Sequence, residues 1–494
     1  MAYRHGVYVS EVPTSIVPPV RVDAATPFFV GTAPIHLIAK TSAEAAALTN
    51  KAVIAYTYAE AVEALGFIHS PSAWAKYSLC ECVYSQFALY GVAPVIFVNV
   101  LDLSTHKSNS ASASKAITNA QVNLGQDVIR WSIEVKATSE GPALVLNTDY
   151  SVTYDDDGNC IVNIIDDGAL AEATTCMIAF DKADASAVTS ADIIGGYSAQ
   201  TGKYTGLELI ETVYPRWKIV PGFIAAPGWS NQSAVAAVMA AKAESINGSF
   251  SCMALCDIPC GTGGVLKYSD ATAWKNTNNY VYPHQIVCWP MVKLGDDVYH
   301  LSVQMAGLMG SIDGDYEGTP YMSPSNKNLQ MDSMVLDDAS STEVTMTKEQ
   351  ATYLNSVGIC TALNWSLGWV AWGNRTGCYP DNTDPKDAFI PVRRMFQWIG
   401  NSLILTYWQK VDFPVTKRLI QTIVASVNIW LNGLAAREWL VGNPKVEFLD
   451  TENPTTDLID GIIRFHVYIT PPVPAREIDF ILEFDTTQFE TLFS

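Results

Sequence analysis

Residues 27–34, "PFFVGTAP", decide the fold class of this 494-residue chain. An unbroken apolar run that ends in a Gly/Pro turn is typical of a β-strand buried on both faces. Helical patterns follow at 57–67 and 73–90, and a second apolar strand, "VIFVNV", lies at 95–100. This strand–helix–strand order predicts an α/β domain built around a sheet that helices cover.

The same pattern returns in the second half of the chain. Residues 218–228, 250–259 and 284–290 are further apolar strands, and 231–248 is a helix that ends at Gly248. The α/β core is therefore formed by two separate segments of the chain.

A stretch of different composition separates these two segments. Residues 104–121 are small and polar, and a β pattern continues from there to about residue 183. Residues 149–165 form a hairpin in this pattern, since Asp157 and Gly158 suit the positive φ angles of a tight turn. We interpret 105–200 as an inserted, mostly β domain.

A final α+β domain begins after about residue 386. Its long helix, 415–440, has one apolar stripe, and strand-like residues 461–474 follow. The chain closes with "REIDFILEFDTTQFETLFS" at 476–494, in which apolar and acidic residues alternate as in a strand with one apolar face. An apolar strand without a partner is an aggregation hazard, so this segment requires one.

Composition excludes several functional classes. A net charge of −20 and the lack of a Lys/Arg run argue against nucleic-acid binding. The longest apolar runs are of strand length, so we expect no membrane insertion, and the N-terminus lacks a signal peptide's apolar block. Ten cysteines in a chain of this length indicate synthesis in a reducing cytoplasm.

The motifs that resemble catalytic or metal sites are incomplete. The Gly/Lys stretches 201–206 and 261–267 lack phosphate-loop spacing and favour flexible turns. Residues 313–318, "DGDYEG", open like a calcium loop, but Pro324 stands where the bidentate Glu belongs, which favours an acidic surface turn.

Cysteines and histidines give no stronger signal. Cys252, Cys256 and Cys260 share a side at either helical or strand spacing, but small core residues are the favoured interpretation. The seven histidines form no known motif. We therefore predict no catalytic residue, cofactor site or metal site, and no enzyme activity. Seven of the 13 tryptophans lie between 365 and 439, which favours packing and subunit interfaces over a carbohydrate platform.

Across most of its length the chain resembles the contractile-tail sheath proteins of bacteriophages, contractile bacteriocins (tailocins) and related injection systems. Residues 5–34 resemble the family's opening, "PGVYV-E" followed by "VGTAP", although His5 stands where Pro is usual. Further similar blocks follow in family order at 149–164, 192–216, 310–329, 354–376, 392–403 and 448–484. The block at 354–376 opens "L-N-x-x-G-I" and closes "W-G-x-R-T", with Cys360 where Asn is usual.

The resemblance implies a structural function. Family members stack as hexameric rings in a helical assembly around an inner tube, and contraction drives the tube through a target cell envelope. The implied partners are other copies of the chain, the inner tube protein, and baseplate and tail terminator proteins. The implied location is the tail sheath of a virion or particle assembled in the bacterial host cytoplasm.

The resemblance also implies that terminal arms add strands to the C-terminal-domain sheets of neighbouring subunits. The residues expected to form this linkage are Val7, Val9, Val12, Ile478, Phe480, Leu482 and Phe484. The predicted units are an N-terminal arm (1–23), a first core segment (24–104), the outward-facing β insertion (105–200), a second core segment (201–385), a C-terminal domain facing the tube (386–475) and a linking strand (476–494).

Two other hypotheses stay open at this stage. The chain could be an α/β enzyme with a β insertion whose site is invisible in the sequence, and such a protein should remain a small closed oligomer. A tail-tube or baseplate component is disfavoured, because it would not carry this full set of blocks.

Overall fold

A computed structural model describes residues 23–487 of the chain. The strands are β1 (Pro27–Gly31), β2 (Ala52–Ala55), β3 (Val95–Asn99), β4 (Lys107–Ala116), β5 (Gln121–Gly125), β6 (Glu134–Lys136), β7 (Tyr150–Tyr154), β8 (Cys160–Ile164), β9 (Thr175–Ala183), β10 (Gly196–Ser198), β11 (Lys203–Thr205), β12 (Phe223–Ala225), β13 (Met253–Asp257), β14 (Gln285–Cys288), β15 (Met291–Leu294), β16 (Asp297–Tyr299), β17 (Ser333–Val335), β18 (Ile359–Trp365), β19 (Gly368–Trp372), β20 (Lys445–Glu447) and β21 (His466–Tyr468).

The α-helices lie between these strands and after them. They are α1 (Ser42–Leu48), α2 (Tyr58–Leu65), α3 (Pro71–Trp74), α4 (Ser78–Val83), α5 (Ser190–Ile194), α6 (Val213–Trp217), α7 (Ser233–Glu244), α8 (Tyr268–Thr277), α9 (Leu301–Asp315), α10 (Lys348–Ser356), α11 (Pro385–Ala388), α12 (Ile390–Tyr407), α13 (Lys417–Ala436) and α14 (Thr455–Ile459).

An eight-stranded sheet forms the centre of the molecule, in the order β19-β18-β14-β13-β12-β1-β3-β2. The six inner strands run parallel, and antiparallel strands β2 and β19 close the two edges. Every residue of β1, β3 and β13 is buried, as expected of parallel strands covered on both faces. The predicted covered α/β sheet is confirmed.

The helix predicted at 73–90 is interrupted. It forms α3, then α4, and continues as a π-helix at Tyr84–Leu89. The break falls at Tyr77, whose backbone leaves the helical region with φ −119° and ψ 73°. Thr32 occupies the backbone groups at the break, because its hydroxyl donates to the Lys76 carbonyl at 2.6 Å and its carbonyl accepts from the Leu79 N–H at 3.0 Å. The Tyr77 hydroxyl donates to Asp127 at 2.7 Å, so distant contacts override the apolar stripe that predicted one continuous helix.

Between β3 and β12 the chain forms two further three-stranded antiparallel sheets, β4-β9-β6 and β5-β8-β7. They enclose a hydrophobic core of their own, which includes Val122, Val162 and Ile178. The hairpin predicted at 149–165 is confirmed by the pairing of β7 with β8. Gly158 alone supplies a positive φ angle there, of 78°.

The C-terminal helices pack directly onto the central sheet. On α12, the Gln397 side chain donates to the Cys252 carbonyl at 2.6 Å, and Asn401 bonds to both backbone groups of Ser251. The Trp398 ring of α12 lies 5.8 Å from the Trp430 ring of α13. One continuous hydrophobic core therefore joins the sheet to both helices.

The long helix predicted at 415–440 is shorter and is only partly covered. It is α13, which begins after the capping side chain of Thr416 and ends at Ala436. It is the one helix within residues 23–487 whose length and composition would suffice to cross a membrane, a property that core helices of soluble proteins share. In this chain 33% of its most apolar window is buried. Leu419 and Val424 are partly buried against the core, whereas Ile429 is 53% exposed.

Candidate assembly interface

A small antiparallel sheet, β20–β21, lies beside α13. Its register pairs Lys445 with Tyr468, Val446 with Val467 and Glu447 with His466. Val446 directs its backbone N–H and C=O away from β21, and the Asn428 side chain of α13 binds both, at 2.8 and 3.1 Å. The outer edge of β20 is therefore occupied at its centre by the chain's own helix.

The outer edge of β21 is different. Because Val446 and Val467 form the non-hydrogen-bonded pair, the backbone groups of Val467 point to the opposite edge of the sheet. No backbone or side-chain group within residues 23–487 bonds to them. An edge with free backbone groups is a template for an added strand, so β21 is the candidate acceptor.

An apolar groove lies next to this sheet. It has a volume of about 760 Å³ and runs between the first turns of α13 and residues 446–450. Ile420 and Val424 form one wall, and Phe448 and Leu458 contribute to the other. An exposed apolar surface of this kind marks a protein interaction site.

The C-terminal tail, residues 470–487, leaves the sheet without joining another one. Within it, Ile478, Phe480, Leu482 and Phe484 are 71%, 86%, 95% and 74% exposed. Ile481, on the opposite side of the alternation, is 94% exposed. Within residues 23–487, Ile478, Phe480, Ile481 and Leu482 are thus exposed on both sides of the segment, and the predicted strand linkage stays a prediction. Val7, Val9 and Val12 lie outside the described residues.

A buried ion pair fixes the C-terminal helices to the core. Arg394 of α12 binds both carboxylate oxygens of Asp313 at the end of α9, and it also donates to the Ala24 carbonyl at 3.3 Å. Arg394 is 3% exposed and Asp313 is fully buried. Burial raises the pKa of Asp313, and Arg394 counteracts part of that rise.

This pair corrects the interpretation of residues 313–318 as an acidic surface turn. Asp313 is an internal residue that belongs to α9, whereas Glu317 is exposed and pairs with Arg437 at 2.7 Å. Local sequence carries no sign of this difference, because Arg394 lies 81 residues from Asp313.

The first turn of α9 holds a second buried network. Glu81 accepts from the His300 backbone at 2.5 Å and lies 2.9 Å from its Nδ1, and Asp257 accepts from the Ser302 backbone at 3.0 Å. Burial alone would lower the pKa of His300, but the Glu81 carboxylate outweighs it and raises that pKa to about 9. Carboxylates at the positive end of the helix dipole stabilise α9.

The cysteines singled out in the sequence are core residues. Cys252, Cys256 and Cys260 are buried, and burial raises the pKa of each thiol, to about 11 for Cys260. Such thiols are poor nucleophiles. Within residues 23–487, no group of three His, Cys, Asp or Glu side chains is placed to hold a metal ion.

These features together describe a packed core that carries a strand edge open within residues 23–487, an apolar groove and an exposed apolar tail. The chain is 28% identical over 508 aligned residues to the tail sheath protein of Burkholderia phage BcepMu, covering 99% of this chain and 98% of the relative. It is thus a homologue of a tail sheath protein over the aligned 99% of this sequence, and the resemblance found in the sequence is confirmed.

Solved structures confirm the sheath fold. The sheath of the extracellular contractile injection system PVC, in its contracted state, matches 99% of this chain with a TM-score of 0.59 and 15% identity. The contracted helical sheath of the anti-feeding prophage matches 98% with a TM-score of 0.56 and 16% identity. No protein-family model matches the chain.

Proposed function

We propose that this chain is the structural subunit of a contractile sheath, polymerising as stacked hexameric rings around an inner tube and shortening to drive that tube through a cell envelope. The observation that carries the proposal is the homology to a tail sheath protein over 99% of the chain. Because the homologues are structural proteins, the structural role is favoured over the enzyme hypothesis.

The linkage between subunits is strand donation. The exposed tail supplies an extended segment with apolar side chains, and the free edge of β21 supplies backbone donors and acceptors. Main-chain hydrogen bonds give such a linkage its strength, and pockets for alternate side chains give it register. The groove beside α13 offers apolar surface for such side chains.

The work of contraction is stored in subunit contacts. The sheath itself consumes no nucleotide, so the extended and contracted lattices differ in contact free energy. About 1–3 kcal/mol per subunit, a typical coupling energy, gives a large total when summed over many copies. The inner tube, baseplate and terminator proteins are the further partners, and the assembled particle tail is the location.

Deletion of residues 476–494 tests the linkage. The shortened chain should keep its circular dichroism spectrum and melting temperature, since residues 478–484 are exposed, but should no longer form ordered extended sheath in electron micrographs. Full-length protein at the same concentration is the reference. Contractile sheaths of normal length from the shortened chain would refute strand donation.

A second experiment tests the predicted outward position of residues 105–200. A short peptide inserted after Ser139, in the exposed turn that follows β6, should leave assembly intact. The same peptide inserted after Gly461, before β21, should abolish assembly. The reverse result would overturn the predicted domain arrangement.

A further inference from the structure

A cleft of about 840 Å³ lies between the core and the first residues of the tail. Its walls come from residues 321–327, the helix α10, residues 372–379 and tail residues 472–479. Four cationic side chains line it, Lys327, Lys348, Arg375 and Arg476, against two carboxylates, Glu477 and Asp479. We name it the basic cleft.

The basic cleft carries an excess of positive charge in a chain whose net charge is −20. In the described residues of the chain, no carboxylate pairs with Lys327, Lys348 or Arg375, and Arg476 pairs only with its exposed neighbour Glu477, at 3.2 Å. Burial, together with the charge of Arg476, lowers the pKa of Arg375. A further anionic group would relieve this repulsion.

A matching acidic surface lies beside the proposed acceptor edge. Residues 450–460, "DTENPTTDLID", contain four carboxylates and no Lys or Arg, and we name them the acidic segment. Glu452 lies 2.7 Å from His466 of β21, and Asn453 bonds to both backbone groups of Arg464. These contacts hold the acidic segment against β21.

Two of its carboxylates are available to a partner. Glu452 pairs with His466 and Asp457 pairs with Arg464. Asp450 and Asp460 are exposed, and no cation within residues 23–487 pairs with either. The acidic segment therefore presents unneutralised negative charge next to the strand edge.

The length of the tail brings the two surfaces together. Residues 480–487 connect the basic cleft to the end of the described tail, and eight extended residues span at most about 28 Å. A tail that lies along β21 of a second copy therefore places its own basic cleft within that distance of the second copy's acidic segment. Charges act over a Debye length of about 8 Å, so the tail brings the two surfaces into one encounter and direct contact between opposite charges then fixes their register.

We propose that the basic cleft of one copy binds the acidic segment of the copy that receives its tail. This contact rests on the proposed strand donation and adds an ionic specificity element to it. The partner is a second copy of this chain, recognised through the pairing of Lys327 and Lys348 with Asp450 and Asp460.

Charge reversal in the full chain tests the proposal. The double variant K327E/K348E should raise the protein concentration needed for sheath assembly about tenfold, since two exposed ion pairs are lost and reversed. The variant D450K/D460K should show the same defect. The quadruple variant K327E/K348E/D450K/D460K restores every pair with inverted sign and should assemble within about twofold of the unmodified chain.

The control variant K51E/K203E adds the same charge at two exposed lysines outside the cleft, and it should assemble normally. Normal assembly of K327E/K348E would overturn the proposal, and so would a quadruple variant no better than either double variant. Neither result bears on strand donation, which is refuted only if the chain lacking residues 476–494 still assembles. Melting temperatures of all variants should agree, because the reversed residues lie at the surface.

Discussion

Replacing Arg394 by Met tests how the C-terminal helices are fixed to the core. The variant keeps side-chain length but removes the two contacts to Asp313, the 3.3 Å bond to the Ala24 carbonyl and the cation–π contact to Phe223 at 4.7 Å. Asp313, which is fully buried, then loses its counter-charge. Breaking a buried pair in this way costs about 3–5 kcal/mol.

The pH dependence of this loss follows from the carboxyl group. Without Arg394, Asp313 escapes its uncompensated charge by binding a proton. Protonating a carboxyl group whose ordinary pKa is 3.8 costs about 4 kcal/mol at pH 7, at about 1.4 kcal/mol per pH unit. The pKa of Asp313 in the folded variant then lies above its value in the unfolded chain. The protonated carboxyl group therefore makes its full contribution to stability below pH 3.8, and this contribution is lost as pH rises. Since the pKa of Asp313 is already raised in the unmodified chain, the variant's deficit should shrink by at most about 3 kcal/mol between pH 7 and pH 5.

Urea denaturation followed by tryptophan fluorescence measures this effect on unassembled protein. The matched double variant R394M/D313N removes both charges and should recover most of the stability at pH 7, with little change at pH 5. A loss below about 1 kcal/mol in R394M at pH 7, or a loss that does not vary with pH, would refute the assignment of Arg394 and Asp313 as a coupled buried pair.

Three further predictions concern other regions of the chain. The pKa of His300 is raised to about 9, so its pairing with Glu81 contributes fully to folding stability below pH 6.5. This contribution, at most about 3 kcal/mol, is lost as pH rises through 9. The melting temperature of H300Q should therefore vary less with pH over that window. The double variant F480A/L482A should melt like the unmodified chain, because both side chains are exposed. If each loses about 1.4 kcal/mol of burial at the interface, the protein concentration needed for assembly, measured by sedimentation, should rise about 100-fold. A Cβ on Gly222 would lie 1.9 Å from the Ala24 carbonyl oxygen, so G222A should lower the free energy of unfolding by more than about 2 kcal/mol. A Cβ on Gly400 of α12 would meet no atom within 4 Å, so G400A should raise the free energy of unfolding by about 0.5–1 kcal/mol.

The sequence was most informative where residue order and local chemistry act over short distances. The apolar runs at β1 and β3 predicted a covered sheet, because a strand buried on both faces leaves no polar positions. Gly158 predicted the β7–β8 hairpin for a similarly local reason. The order of family blocks along the chain predicted the sheath function, which no single motif could do.

Contacts between distant segments decided the rest. The break at Tyr77 depends on Thr32, 44 residues from Lys76, and the interior position of Asp313 depends on Arg394. The availability of β21 rather than β20 depends on one side chain, Asn428, which occupies the other edge. Alternation at 478–484 could identify a strand in need of a partner, because side-chain period is a property of the segment itself. Which edge is open to a partner is a property of the folded sheet, since backbone groups are satisfied only by what the tertiary structure places beside them.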